Sequence, residues 1–341
     1  MIQTSTARDY APGLALAVAV ALASSAAERA LGSLGLRVPA VVIALLLGMA
    51  LHLFAARPQF APGLTYAVKK LLRYAIALLG LRIAVSDIIG LGWATALIVI
   101  VSMAATVVTG VLIARAFGRS DAYGALAGGA TAVCGASAAL AISTVLPPAR
   151  ERDTDTAFTV LAVNALSTVA MLLYPLIAAA LHFDDHRAGV LLGATIHDVA
   201  QVVGAGYAVS DPAGNIAVVV KLFRVFLLLP VVLAIGWYFA RSGGGTAQAS
   251  VPVPVFAIVF LILALVNSLA GASPALADIY PPLKGFLGEV SRWGLLVAIS
   301  ALGLGTSAQA VMRIGWRHIA VVCFSTLIIL ALVLAGQLIQ G

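Results

Sequence analysis

The chain has 341 residues, of which 62% are hydrophobic and 10% charged, with a mean hydropathy of +1.10. An average soluble domain is about 25% charged, so a water-soluble fold is excluded and lipid must solvate much of the surface. The net charge of +7 comes from basic residues scattered over short loops. With no basic arm or patch, this excludes a nucleic-acid partner and matches the positive-inside bias of membrane proteins.

Residues 1–10 are polar and an apolar run begins at Ala11, read as a first span rather than a cleaved leader because ten further apolar runs follow. A spanning helix needs about 20 apolar residues. The pattern predicts about eleven transmembrane segments, at 11–27, 38–56, 66–86, 93–116, 121–146, 155–182, 187–209, 213–241, 252–270, 284–309 and 315–338. The expected fold is an all-α polytopic membrane protein, a single domain over 1–341. Turn-rich stretches such as 146–155 and 241–254 connect the segments. With eleven full spans and the N-terminus in the cytoplasm, eleven basic residues lie inside, among them Arg115, Arg119, Arg187 and Arg241. Six lie outside, among them Arg150 and Arg152.

Residues 79–93 and 302–316 align without gaps, both opening on Leu-Gly-Leu and closing on Gly-Trp. The echo pairs the third segment with the tenth. That odd separation implies inverted repeats, a common plan of secondary transporters with broken or re-entrant helices at the midplane.

Polar groups interrupt several segments. The third holds Arg82, with Asp87 as a local partner. The fifth holds Thr131, Cys134, Gly135 and Ser137 among glycines and alanines. This is either a broken helix aiming a half-helix N-terminus at an anion or close packing through small residues. Cys134 and Cys323 are far apart and give neither a disulfide framework nor a metal spacing, so no metal and no cofactor is expected. The sixth segment adds Asn164, and the seventh carries His197, Asp198 and Gln201. His197, Gln201 and Gly204 share one helical face, with Asp198 about 100° away. The eighth carries Lys221 and Arg224, three residues apart and deep in apolar sequence. Snorkelling is the alternative for the two cations, and it is weaker for Arg224. Ionisable residues at membrane depth are costly and mark cavities or partners. The intramembrane tally leaves a surplus of positive charge, and an anionic ligand is the simplest partner for it.

At these residues the chain resembles the YeiH-type family of bacterial sulfate exporters, over about residues 35–340. "GLRIAVSDI" at 80–88, Cys-Gly-x-Ser-Ala at 134–138, "IHDVAQVV" at 196–203 and "KLFRV" at 221–225 match the family's motifs in order. The family's usual Glu after the histidine is Asp198 here, and a lysine expected after the Cys-Gly motif is absent. The resemblance implies a multi-pass protein of the bacterial inner membrane, related to bile-acid and sodium/proton antiporter folds.

The expected function is a secondary transporter exporting a small anion such as sulfate or a sulfonate. At roughly 100 mV, inside negative, a departing dianion gains about 4.6 kcal/mol, so export needs no coupling ion, although a proton or sodium ion is an admissible partner. A homo-oligomer is equally admissible. The alternatives are an anion channel or a membrane-embedded enzyme. "HDVAQ" lacks the second histidine of the His-Glu-x-x-His zinc motif, so the chain is read as a non-enzyme.

Overall fold

The computed structural model describes residues 7–33, 38–149, 151–241, 255–271, 273, 278–305 and 316–340. Among them every regular element is a helix. Six of the described helices are long and apolar enough to cross a membrane, from Asp9–Ser33 to Ile319–Gln340, and shorter apolar helices accompany them. The protein is a polytopic helical membrane protein. The Asp87 side chain and most of the second copy of the echo (306–315) lie outside the described residues.

The chain forms two compact units. The first, Met1–Gly90 with Val255–Ser307, contains α1 (Ala7–Ser33), α2 (Ala40–Ala50), α3 (His52–Ala55), α4 (Ala61–Tyr66), α5 (Leu72–Leu79), α6 (Val85–Gly90), α15 (Val255–Gly271) and α16 (Tyr280–Gly305). Its third segment breaks at Ile83, which is extended. Two residues of α15 satisfy the freed backbone: Asn267 Nδ2 donates to the Ile83 carbonyl (3.1 Å), and Ser268 Oγ accepts from Val85 N–H (2.9 Å).

The second unit, Leu91–Pro254 with Ala308–Gly341, contains α7 (Gly92–Ala116), α8 (Asp121–Ala132), α9 (Ala136–Ser143), α10 (Arg152–Ala180), α11 (Asp185–Thr195), α12 (Val199–Val209), α13 (Asp211–Phe226), α14 (Leu228–Arg241) and α17 (Trp316–Gln340). Side chains fix where several of these helices start. Ser120, Asp184 and Ser210 accept from the N–H groups of Tyr123, Arg187 and Ala213, which satisfies orphan donors of the first turn.

Two of the eleven apolar segments turn back on themselves. Gly129 of α8 lies against the tip of the Ile142 side chain of α9, where a Cβ at Gly129 would meet it. In a helix running straight on, 13 residues would separate them by about 20 Å. Arg119, before α8, meets Asp155, at the start of α10, at 2.6 Å. Segment 121–146 is therefore a helical hairpin that leaves on the side it entered.

Segment 187–209 behaves likewise. Gly189 packs on Ala213 and Ile216, and Gly193 on Ala217 and Val220, so α11 runs parallel to α13. Gly206 packs on Gly214, so α12 runs antiparallel to α13. The base of this second hairpin is closed where Ser210 Oγ donates to Asp185 Oδ1 at 2.6 Å.

The 29 residues of α10, about 43 Å at 1.5 Å per residue, separate the two bases. The hairpins thus enter from opposite sides. Their inward arms, of 12 and 11 residues, reach about 18 and 16 Å, enough to meet halfway across a core of about 30 Å.

This corrects the sidedness read from eleven full spans. Arg152 lies on the side of Arg119 rather than opposite it, and Arg187 belongs with the base of the second hairpin. Arg115 and Tyr238 line one groove, which places the end of α14, and Arg241, on the Arg115 side as well. The described helix-end cations of this unit divide as Arg115, Arg119, Arg152 and Arg241 against Arg187. That imbalance is the pattern the positive-inside bias gives to a cytoplasmic side at the first hairpin's base.

Candidate functional site

The site is built where the two hairpin tips meet. At the first tip Gly135 has φ +65°, a backbone that L side chains rarely adopt. It lets the chain reverse within three residues, 133–135, between α8 and α9. At the second tip Ile196 is extended and Asp198 caps α12, its Oδ1 accepting from Ala200 N–H at 2.8 Å. A Cβ placed at Gly135 would stand 3.7 Å from His197 Cβ, so the tips face each other with room for about one methyl group between them.

Each inward arm ends with orphan backbone carbonyls and a partial negative charge. Lys221 and Arg224, one turn apart on α13 and both 0% exposed, satisfy them. Lys221 Nζ donates to Val133 O (2.8 Å) and Ile196 O (2.9 Å), one carbonyl from each tip. Arg224 Nε donates to Ala132 O (3.0 Å). Its Nη1 reaches Gly193 O and Ile196 O (3.1 and 3.0 Å), and its Nη2 reaches Thr131 O and Ala132 O (2.9 and 2.7 Å). A guanidinium has five N–H donors, and all five are engaged. The positive surplus counted in the sequence thus has partners no sequence shows, the C-terminal ends of two half-helices.

The surrounding polar residues hold the second tip. Ser167 Oγ of α10 accepts from both His197 N–H (3.1 Å) and Asp198 N–H (3.0 Å). His197 Nε2 lies 2.9 Å from Thr326 Oγ1 of α17. That hydroxyl already donates to Val322 O (2.8 Å), so it accepts here and the proton sits on Nε2. Gln201 Nε2 donates to Thr168 Oγ1 (2.9 Å). Among the described residues, the buried Thr131 Oγ1 and Gln201 Oε1 have no hydrogen-bond partner.

The ten residues read as candidate ligand contacts, Thr131, Cys134, Gly135, Ser137, Asn164, His197, Asp198, Gln201, Lys221 and Arg224, lie in this second unit, whereas Arg82 lies in the first. Thr131, Cys134, Gly135, His197, Gln201, Lys221 and Arg224 are buried at or beside the tips. Asp198 is half-buried, while the Ser137 and Asn164 side chains are exposed. Ser137 sits in the first turn of α9, whose N-cap, Gly135, offers no side chain. Sequence reasoning missed Ser167, Thr168 and Thr326. The first two were detectable, since Asn164, Ser167 and Thr168 form an i, i+3, i+4 polar stripe on an apolar helix. A groove of about 330 Å³ beside α7, α8 and α14, lined by Val107, Val111, Ala125, Ile235 and Phe239, lies apart from this cluster and is apolar.

The geometry defines a class: a polytopic helical membrane protein organised around two opposed hairpins whose facing tips are cross-braced by buried cations. Residues 12–322 match the family model described as conserved hypothetical protein 698, and the chain belongs to that family, UPF0324, in agreement with the YeiH-type resemblance. It is 41% identical over 336 residues to a UPF0324 membrane protein of Rhizobium meliloti (strain 1021), covering 97% of this chain and 94% of the relative. It is 39% identical over 334 residues to the UPF0324 membrane protein TauZ of Paracoccus pantotrophus, covering 97% and 95%. A Chlorobaculum tepidum relative is 38% identical over 330 residues, covering 96% and 89%. No solved structure matches the chain.

Proposed function

We infer that the protein is a secondary transporter of the bacterial cytoplasmic membrane that exports a small anion, sulfate or a sulfonate, through the meeting point of the hairpins. One observation carries the reading: two half-helix N-termini, those of α9 and α12, start at facing tips that are reached from opposite sides. Such N-termini offer N–H groups and partial positive charge to anions.

The charge balance supports an anion. Each helix end counts as about half a charge, so the two C-terminal and two N-terminal ends cancel. Lys221 and Arg224 add two positives and Asp198 removes one, leaving about one positive charge for a ligand to neutralise. Ser137, exposed in the first turn of α9, and Asn164, one turn from Ser167, are the side chains placed to contact it. Lys221 and Arg224 act at one remove, by holding the tips and supplying the field.

The reading is tested by flux of labelled sulfate and of short sulfonates in proteoliposomes of the purified protein. Saturable, protein-dependent efflux is expected for at least one of them. Leak-level flux for every anion tried, from protein that remains folded, would sink the proposal. Flux rising linearly with concentration and reaching the rates of a pore would favour an anion channel.

A further inference from the structure

In secondary transporters the C-terminal ends and unwound carbonyls of interrupted helices are where a coupling cation is held. Both ingredients are present here. Val133 O and Ile196 O come from the ends of two different half-helices and converge on one point. Two half-helix ends together present about one negative charge, the complement of one monovalent cation. The occupant of that point is part of the chain: Lys221 Nζ, at 2.8 and 2.9 Å from the two oxygens. Its stem rises from α13, whose neighbouring Gly193, Ala217 and Val220 contacts fix the register. The side chain is 0% exposed, so water does not compete for the ammonium. Arg224 takes the remaining tip carbonyls at 131, 132, 193 and 196. No convergent pair of tip oxygens among these is left open to a metal ion.

We propose that the Lys221 ammonium is a built-in cation that fills the carbonyl site between the hairpin tips, so that the protein moves its anion without a bound sodium or other metal cation. The consequence rests on the transport reading, whereas the site assignment does not. With the charge tethered, no metal ion leaves with the anion to compensate its charge, and an inside-negative potential drives that charge outward. Removing the ammonium while keeping the carbonyls should recreate a vacant cation site.

Two measurements on the full-length protein test this. In the first, anion flux is compared in sodium, potassium and N-methylglucamine media at equal ionic strength. Rates equal within about twofold are expected, and a larger loss on removing sodium overturns the proposal, since a required ion would shift the rate as any coupled ligand shifts its partner's equilibrium. In the second, melting temperatures of wild type and Lys221→Ala are read with sodium, methylammonium or N-methylglucamine chloride. The wild type should show no cation-specific shift, while Lys221→Ala should melt lower and be raised by methylammonium or sodium, as a ligand that binds only the folded state does. A cation-specific shift in the wild type, or none in a folded Lys221→Ala, overturns the proposal. If Lys221→Ala does not fold, the wild-type arms decide. If no anion is transported in any medium, the transport reading fails and the melting measurements still judge the site.

Discussion

Arg119 and Asp155 pair at 2.6 Å although a whole pair of helices, α8 and α9, lies between them in the chain. That contact makes segment 121–146 a hairpin. It gives the first prediction: cysteines placed at Ser120 and Ala149, in a background lacking Cys134 and Cys323, should both be labelled by a membrane-impermeant thiol reagent from the cytoplasmic side. Labelling of the two from opposite sides would restore a full span.

Arg224 spends five donors on five carbonyl contacts. Lysine has three donors and no fork, so Arg224→Lys should lower stability and flux together rather than act as a conservative change. Arg224→Ala leaves the carbonyls unpaired, and breaking a buried charged network costs about 3–5 kcal/mol. Thermal unfolding in detergent checks both, and a melting temperature unchanged in either variant would contradict the bracing role.

Gly135 should tolerate no side chain, although there is room for one. Its Cβ would meet His197 at 3.7 Å, an ordinary contact, so the cost of Gly135→Ala is the backbone, φ +65° with ψ −124°, a region outside the left-handed helix that non-glycine residues rarely occupy, at about 1–3 kcal/mol. A drop of a few degrees in melting temperature, with flux reduced, is expected. An unshifted melting curve would show that the tip relaxes.

Asp198 caps α12, and asparagine caps as well as aspartate. Asp198→Asn should therefore keep stability, while Asp198→Ala loses about 1 kcal/mol. Flux separates the roles of the charge. A proton carrier's Asn variant loses pH-driven accumulation but keeps exchange of labelled anion, and a variant that has lost only an orienting charge is weakened in both modes. Unchanged rates in both modes leave Asp198 as a cap alone.

Ser137 is exposed in the first turn of α9. Ser137→Ala should raise the KM for the anion by about 3–10-fold, the worth of one hydrogen bond, with the melting temperature unmoved. An unaltered KM would move the ligand away from the first turn of α9.

The amino-acid sequence by itself determined the membrane class, because composition and the length of apolar runs depend only on what each residue costs in lipid. It also marked the tip residues: glycine at 135 and polar groups at 197, 198, 201, 221 and 224 stand out against an apolar background. It could not determine the direction in which a segment leaves its own midpoint. An apolar helix that continues and one that doubles back have the same hydropathy, so the sequence left segments 121–146 and 187–209 open between a full span and a re-entrant pair. Nor could it show what pairs with Lys221 and Arg224. Their partners are backbone carbonyls at the ends of α8 and α11, which every residue type carries, and only the tertiary structure decides which of them are left without an intrahelical partner and brought within reach of a cation.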